Sequence, residues 1–282
     1  MALLSLQDVS VTYLSGGKRV HAINHVSLDV EKGESLGIVG ESGSGKTTLI
    51  MAVLRLLPPG RARVEGTAEL EARDLFQMSD QELSTVRWEQ MSVVFQKAMN
   101  ALSPVHRIGK FLSDIYRLHR PDVNKRDARR AVEELLILVN LPPRVFNLYP
   151  HELSGGMMQR VSIAMSLLFT PRLLIMDEAT TALDVVTQNQ ILDEIVELEE
   201  RMDITRVMIT HDISVVAGTC KNVAVLYAGS LLEFGPVDEV LVEPMHPYTK
   251  GLIESFPTFE AEEREPLVSI GGSLPDLVEL PQ

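Results

Sequence analysis

The run Gly40-Glu41-Ser42-Gly43-Ser44-Gly45-Lys46-Thr47, followed by Thr48, sets glycines, hydroxyls and one lysine at the spacing G-x-x-x-x-G-K-[ST]. Glycines so placed let backbone N–H groups turn inward as a nest for an anion at the start of a helix. Lys46 can then reach the outer phosphates of a nucleotide, and the Thr47 hydroxyl can ligate Mg2+. The pattern predicts a nucleoside-triphosphate site. A second group closes the apolar run Leu173-Leu174-Ile175-Met176 with Asp177 and Glu178. Mg2+ takes hard oxygen donors and typically one or two carboxylates, which suits Asp177 and leaves Glu178 to orient an attacking water. A third, Leu153-Ser154-Gly155-Gly156-Met157-Met158-Gln159-Arg160, opens a helix with a serine and two glycines. Bare N–H groups and a helix dipole again face a negative charge there. A chain with two such devices either binds two phosphates or shares one nucleotide between subunits.

These groups need strands and helices to carry them. Ser35 to Val39 reads as a short strand running into the glycine turn, and the stretch from Lys46 to Leu57 as a helix stopped by Pro58-Pro59-Gly60. Val9 to Tyr13 alternates as a strand that Gly16-Gly17 breaks, and Val93 to Phe95 reads as a buried strand. Ala128, Ala131, Val132, Leu135, Leu136 and Val139 recur at helical spacing, with Asn124 as N-cap and Pro142-Pro143 as stop. A further helix opens at Ser154 and runs to about Phe169. Strand and helix then alternate: Leu173–Met176, Asp184–Arg201, Thr205–Ile209, Ile213–Ala217, Val223–Tyr227. That rhythm implies crossover units and a largely parallel sheet, interrupted by a helical insert.

Composition sets outer limits. The chain has 282 residues, 45% apolar and 23% charged, the balance of a globular protein with no apolar run long enough to span a bilayer. Its opening residues carry no basic flank and meet a charge at Asp8, so no secretory signal is expected. One cysteine, Cys220, excludes disulfides within the chain and any cysteine-ligated metal, and fits a reducing compartment. A net charge of −13 opposes nucleic-acid binding over a whole face. About half of that excess lies in Glu254 to Gln282, while the basic cluster from Arg117 to Arg130 reads as a solvated helix start.

On the Lys46 loop, the Asp177-Glu178 pair and above all Leu-Ser-Gly-Gly-x-x-Gln-Arg, the sequence resembles the ATP-binding-cassette (ABC) ATPases over about residues 3 to 255. The resemblance implies a P-loop, RecA-like α/β core with a mostly parallel sheet, an antiparallel β region, an inserted helical subdomain and a short C-terminal extension. The expected divisions are an ATPase domain over 1–255, with core at 1–96 and 165–240 and helices at about 97–164, then a Pro-rich acidic extension at 256–282. It further implies that Tyr13 stacks on adenine, that Gln96 joins Thr47 and Asp177 at Mg2+, and that His211 acts as the switch histidine. Asp184 falls in a loop crossing a dimer interface. In that head-to-tail dimer, the Ser154-Gly155-Gly156 loop and Gln159 of one subunit close over ATP held by Lys46 of the other.

A narrower resemblance, to oligopeptide and dipeptide importer ATPases, rests on Phe95 to Val105, Thr180 to Val185 and His246-Pro247-Tyr248-Thr249-Lys250-Gly251-Leu252. Thr210 to Ala217 and Tyr227-Ala228-Gly229 lean towards the first (D-type) of the two paralogous ATPases in such systems. The expected partners are two transmembrane permease subunits, the paralogous ATPase as an unlike partner, and an extracytoplasmic substrate-binding protein through the complex; nucleic acid is not expected. The expected location is peripheral, on the cytoplasmic face of the inner membrane. Two departures stand out. Ala179 replaces the proline usual after Asp-Glu, and with Cys220 alone the iron–sulfur cluster reported for that family's cysteine-rich tail is not expected here. Other readings are an importer ATPase for oligosaccharides or nickel chelates, an exporter ATPase, or a soluble cassette ATPase acting on nucleic acid.

Overall fold

The structure is a computed structural model that describes residues 2–95, 101–181, 183–255, 275, 277 and 278. The chain opens with β1 (Ala2–Ser15), β2 (Lys18–Glu31), β3 (Ser35–Val39), α1 (Lys46–Val53), β4 (Ala62–Leu70) and β5 (Arg73–Asp74). Its middle holds α2 (Asp80–Glu89), β6 (Met91–Phe95), α3 (Ile108–His119), α4 (Lys125–Leu138), α5 (Gly155–Leu167), β7 (Leu173–Asp177) and α6 (Val185–Met202). Then follow β8 (Thr205–Ile209), α7 (Ile213–Thr219), β9 (Asn222–Tyr227), β10 (Ser230–Pro236), α8 (Val237–Val240) and α9 (Pro247–Glu254).

Two compact units divide the chain: Met1–Asp80 with Val207–Gln282, and Gln81–Arg206. The first unit holds an antiparallel sheet of order β2-β1-β4-β5, and a second sheet in which β9 runs parallel to β3 and antiparallel to β10. All five residues of β3 are buried, as a strand covered on both faces requires. Val39, Val216, Val223, Val225 and Leu252 pack into one apolar cluster at the end of β3 where the phosphate loop begins. In the second unit β6 and β7 pair in parallel, with Phe95 opposite Asp177. Asn124 caps α4 by accepting from the N–H groups of Arg126 and Asp127, and Ala128, Val132, Leu135 and Leu136 form its buried stripe.

The expected α/β class, parallel strands and helical insert are all present. The first strand runs well beyond Val9–Tyr13, because register shifts on either side of Val9 break the period of two that alternation detects. Asp8 sits at one of them with φ 55°. No element was expected over β2, β4, β10, α2 or α3, although residues 26–31 of β2 alternate and Ile108, Phe111, Leu112 and Ile115 of α3 recur at helical spacing. α1 ends at Val53 rather than at the prolines, since Arg55 turns into the left-handed region at φ 50° and its guanidinium donates to the Met78 carbonyl.

Candidate functional site

In the first unit β3 delivers the chain into the glycine loop and α1 leaves it. Gly40, Gly43 and Gly45 have φ of 148°, 85° and 101°, values that only glycine adopts readily. Gly45 is the N-cap of α1 and has no side chain with which to cap the helix start. Lys46 lies curled within the loop, 6% exposed. Its ammonium donates to the Gly40 carbonyl at 2.7 Å, the Glu41 carbonyl at 2.8 Å and the Ser44 hydroxyl at 3.2 Å. Ser44 is fully buried, whereas Ser42, Gly43 and Thr47 are exposed.

The loop is gripped from behind by backbone. The Gly229 N–H donates to the Ser44 carbonyl at 3.0 Å, tying the β9–β10 turn to the loop. A Cβ on Gly45 would fall 2.5 Å from the Ala22 carbonyl oxygen, and one on Gly40 would fall 2.1 Å from that of Leu226. These two positions must be glycine for want of space as well as for φ. Tyr13, on β1, brings its hydroxyl to 3.4 Å from that of Thr48 on α1, so strand and helix meet at the flank of the loop. The Thr210 N–H donates to the Ile38 carbonyl at 3.2 Å, which sets the end of β8 beside the end of β3. His211 follows directly and is exposed, and Asp212 caps α7 through the Ser214 N–H at 2.9 Å.

In the second unit Asp177 ends β7 and is 6% exposed. Glu178 is half-buried with φ 47°, an uncommon conformation for a residue with a Cβ, and its carbonyl accepts from the Thr181 hydroxyl at 3.0 Å. Strain of this kind concentrates at functional positions. Ser154 caps α5 by accepting from the Met157 N–H at 3.3 Å, and Ser154 and Gly155 are exposed. A Cβ on Gly156 would lie 2.7 Å from the Thr187 methyl, so α5 and α6 approach closely there. Gln159 is 1% exposed and its Nε2 has no hydrogen-bond partner among the described residues. Asp184 caps α6 through the Thr187 N–H at 3.0 Å, and that hydrogen bond holds its carboxyl below the usual aspartate range. Val185 and Val186 beside it are 72% and 67% exposed. Gln96 and Ala182 lie outside the described residues.

One contact to the loop had escaped the sequence reading. The Tyr248 hydroxyl oxygen accepts a hydrogen bond from the Glu41 N–H at 3.2 Å. The only signal for it was the His246-to-Leu252 motif, which carried a resemblance but no stated role.

A family model for ABC transporters matches residues 23–181, and one for the C-terminal region of oligopeptide/dipeptide transporters matches residues 232–282. The oligopeptide transport ATP-binding protein OppD of Bacillus subtilis is 42% identical, across 99% of this chain and 79% of its own length. OppD of Escherichia coli is 41% identical across 100% and 83%, and the dipeptide transport ATP-binding protein DppD of Lactococcus lactis 40% identical across 99% and 80%. Among solved structures, a dimeric ATP-binding cassette in a post-hydrolysis state, bound to ADP and Pi, superposes with a TM-score of 0.74 at 29% identity, covering 83% of this chain and 98% of that one.

Proposed function

The chain belongs to the ATP-binding ATPases of ABC transporters, and from that premise we propose that it energises the import of di- or oligopeptides by hydrolysing ATP between two cassettes. The cargo reading draws on the peptide-transport names of its relatives and on the second family match over residues 232–282. The site reading is supported by one observation: two helices, α1 behind Gly45 and α5 behind Ser154, each start from a loop where a helix N-terminus favours an anion.

In this reading Lys46 leaves its loop carbonyls for the outer phosphates. The N–H groups of the loop from Gly40 to Thr48, Ser42, Gly43 and Ser44 among them, stabilise charge on the transferred phosphoryl group. Tyr13 faces the base. Thr47, Asp177 and Gln96 would hold Mg2+, since a hydroxyl, a carboxylate and an amide oxygen are hard donors of the kind it takes, and the ion would supply neutralisation of phosphate charge. Glu178 orients the attacking water and His211 contacts the γ-phosphate. Ser154, Gly155, Gly156 and Gln159 complete the site of the opposing cassette. Asp184 lies at that dimer face, where the exposed Val185 and Val186 beside it supply apolar surface.

The partners in this reading are two permease subunits, a paralogous ATPase forming an unlike pair, and a substrate-binding protein outside the cell. The helical segment of about 97–164 serves as the subdomain that meets the permeases. Among the described residues no helix is long and apolar enough to cross a membrane, and the proposed location is peripheral, at the cytoplasmic face.

The test is Glu178→Gln in the purified chain and in the complex reconstituted with its permeases and paralogue. ATP binding is expected to persist, ATP-dependent dimerisation to become visible by light scattering, and turnover to fall by about 100-fold or more. Near-normal hydrolysis would remove Glu178 from its role. Reconstituted vesicles that hydrolyse ATP without accumulating labelled peptide would overturn the cargo.

A further inference from the structure

Lys46 and Tyr248 hold opposite ends of one peptide group. The Gly40 carbonyl accepts from the Lys46 ammonium at 2.7 Å, and the N–H across the same C–N bond, that of Glu41, donates to the Tyr248 oxygen at 3.2 Å. A planar peptide bonded at both ends has one orientation. It also forms the hinge at which β3 enters the loop, where Gly40 has φ 148° and glycine's freedom leaves the plane otherwise unfixed.

The segment that carries Tyr248 is built to present it. His246 is the N-cap of α9, its Nδ1 accepting from the Tyr248 N–H at 3.1 Å, and Pro247 occupies the first turn, where its missing N–H costs nothing. The Tyr248 ring is 9% exposed in the apolar cluster with Val39, Val216 and Leu252, and lies 4.5 Å from the Tyr227 ring. Packing alone would be served by phenylalanine. The hydroxyl is what reaches the loop, and burial pushes its pKa up to about 12, so it stays neutral and brings no negative charge towards bound phosphates.

We propose that Tyr248 is a positioning residue for the nucleotide site, fixing the Gly40–Glu41 peptide plane so that the phosphate loop keeps its shape when Lys46 turns from the Gly40 carbonyl to the phosphates. The proposal rests on the loop's being the nucleotide site. It gives the C-terminal region a direct line to ATP binding: whatever moves α9 moves one peptide of the loop.

The experiment is a titration of the full-length chain with a fluorescent ATP analogue and Mg2+, with steady-state ATPase kinetics and melting curves, for wild type, Tyr248→Phe, Tyr227→Phe and Lys46→Ala. Tyr248→Phe removes one neutral hydrogen bond and keeps the ring. Nucleotide affinity is expected to weaken about 2- to 10-fold and KM to rise to match, with kcat and melting temperature little changed. Tyr227→Phe, which also loses a hydroxyl but no loop contact, is expected to match wild type. Unchanged affinity in Tyr248→Phe, an equal loss in Tyr227→Phe, or a fall in melting temperature and kcat without a change in KM would each overturn the proposal. If Lys46→Ala binds nucleotide as wild type does, the loop reading falls and the proposal with it; if only Tyr248→Phe is silent, the proposal falls alone.

Discussion

Gly45→Ala tests whether close backbone approach, rather than flexibility, dictates the glycines of the phosphate loop. Gly45 has φ 101°, and an added Cβ would lie 2.5 Å from the Ala22 carbonyl oxygen and 2.7 Å from the Ile23 Cδ1. The first contact is about 0.9 Å short of ordinary van der Waals distance. The isoleucine tip can swing aside, whereas Ala22 is backbone held between Ile23 and His21, which pair with Val11 and Thr12 of β1, so its carbonyl gives way less easily. Backbone strain at such a φ costs about 1–3 kcal/mol and overpacking against a fixed neighbour about 1–3 kcal/mol more. A total of roughly 2–6 kcal/mol corresponds to a fall in melting temperature of roughly 5–20 °C for a chain of this size. The control is Gly218→Ala in α7, where an added Cβ meets nothing within 4 Å. Helix propensity there is expected to stabilise the protein by about 0.5–1 kcal/mol. Calorimetry on both variants, with nucleotide titration of each, decides the matter. A Gly45→Ala protein that melts within a degree or two of wild type and binds nucleotide normally would refute the steric argument.

Two further predictions concern charges in the second unit. Arg206 is fully buried on β8 and paired with Glu199 of α6; Glu199→Leu or Arg206→Met alone should cost about 3–5 kcal/mol, while the double variant should recover most of it, so strictly additive losses in denaturant melts would dismiss the pairing. Asp184 has its carboxyl pKa lowered by the Thr187 N–H, so its charge contributes stability that is complete above the unfolded value of about 3.9 and is lost as pH falls through the lowered folded value. The melting-temperature difference between wild type and Asp184→Asn should therefore stay flat from pH 8 to pH 5, and a difference that titrates within that window would contradict the assignment.

The parts legible in the sequence are those whose physics is local. A fully buried strand reads as an apolar run, which is why β3 and β7 could be read directly, and Asn124, Ser154 and Asp184 each cap a helix where the sequence placed its start. Arg206 escaped notice because the charge inside this buried strand is paired with Glu199, and no spacing rule announces that pairing. The bulge between Gln7 and Ser10 lies on β1, where it breaks the alternation, whereas residues 26–31 of β2 alternate cleanly and were legible though not read. The loop's lysine and glycines were plain from their spacing. Their supports were not, because Ala22, Leu226, Gly229 and Tyr248 lie far from residue 40 in the chain, and three of the four act through backbone atoms that any residue type supplies.

That distribution of supports bears on how the loop works. A phosphate nest is effective when its N–H groups are aimed before the anion arrives, since binding then spends nothing on ordering them. Gly40 is pressed by the Leu226 carbonyl, Gly45 by the Ala22 carbonyl, and the Ser44 carbonyl is bonded by the Gly229 N–H. The groups so engaged are carbonyls and the Cα faces of glycines, while the Glu41 N–H, at the entrance, donates to Tyr248. At the start of α1, Gly45 adds no side-chain cap that would compete with an anion. The fold therefore fixes the loop through the atoms that phosphate does not use. That division of labour explains why glycine is needed on the buttressed side even though the chemistry takes place on the other.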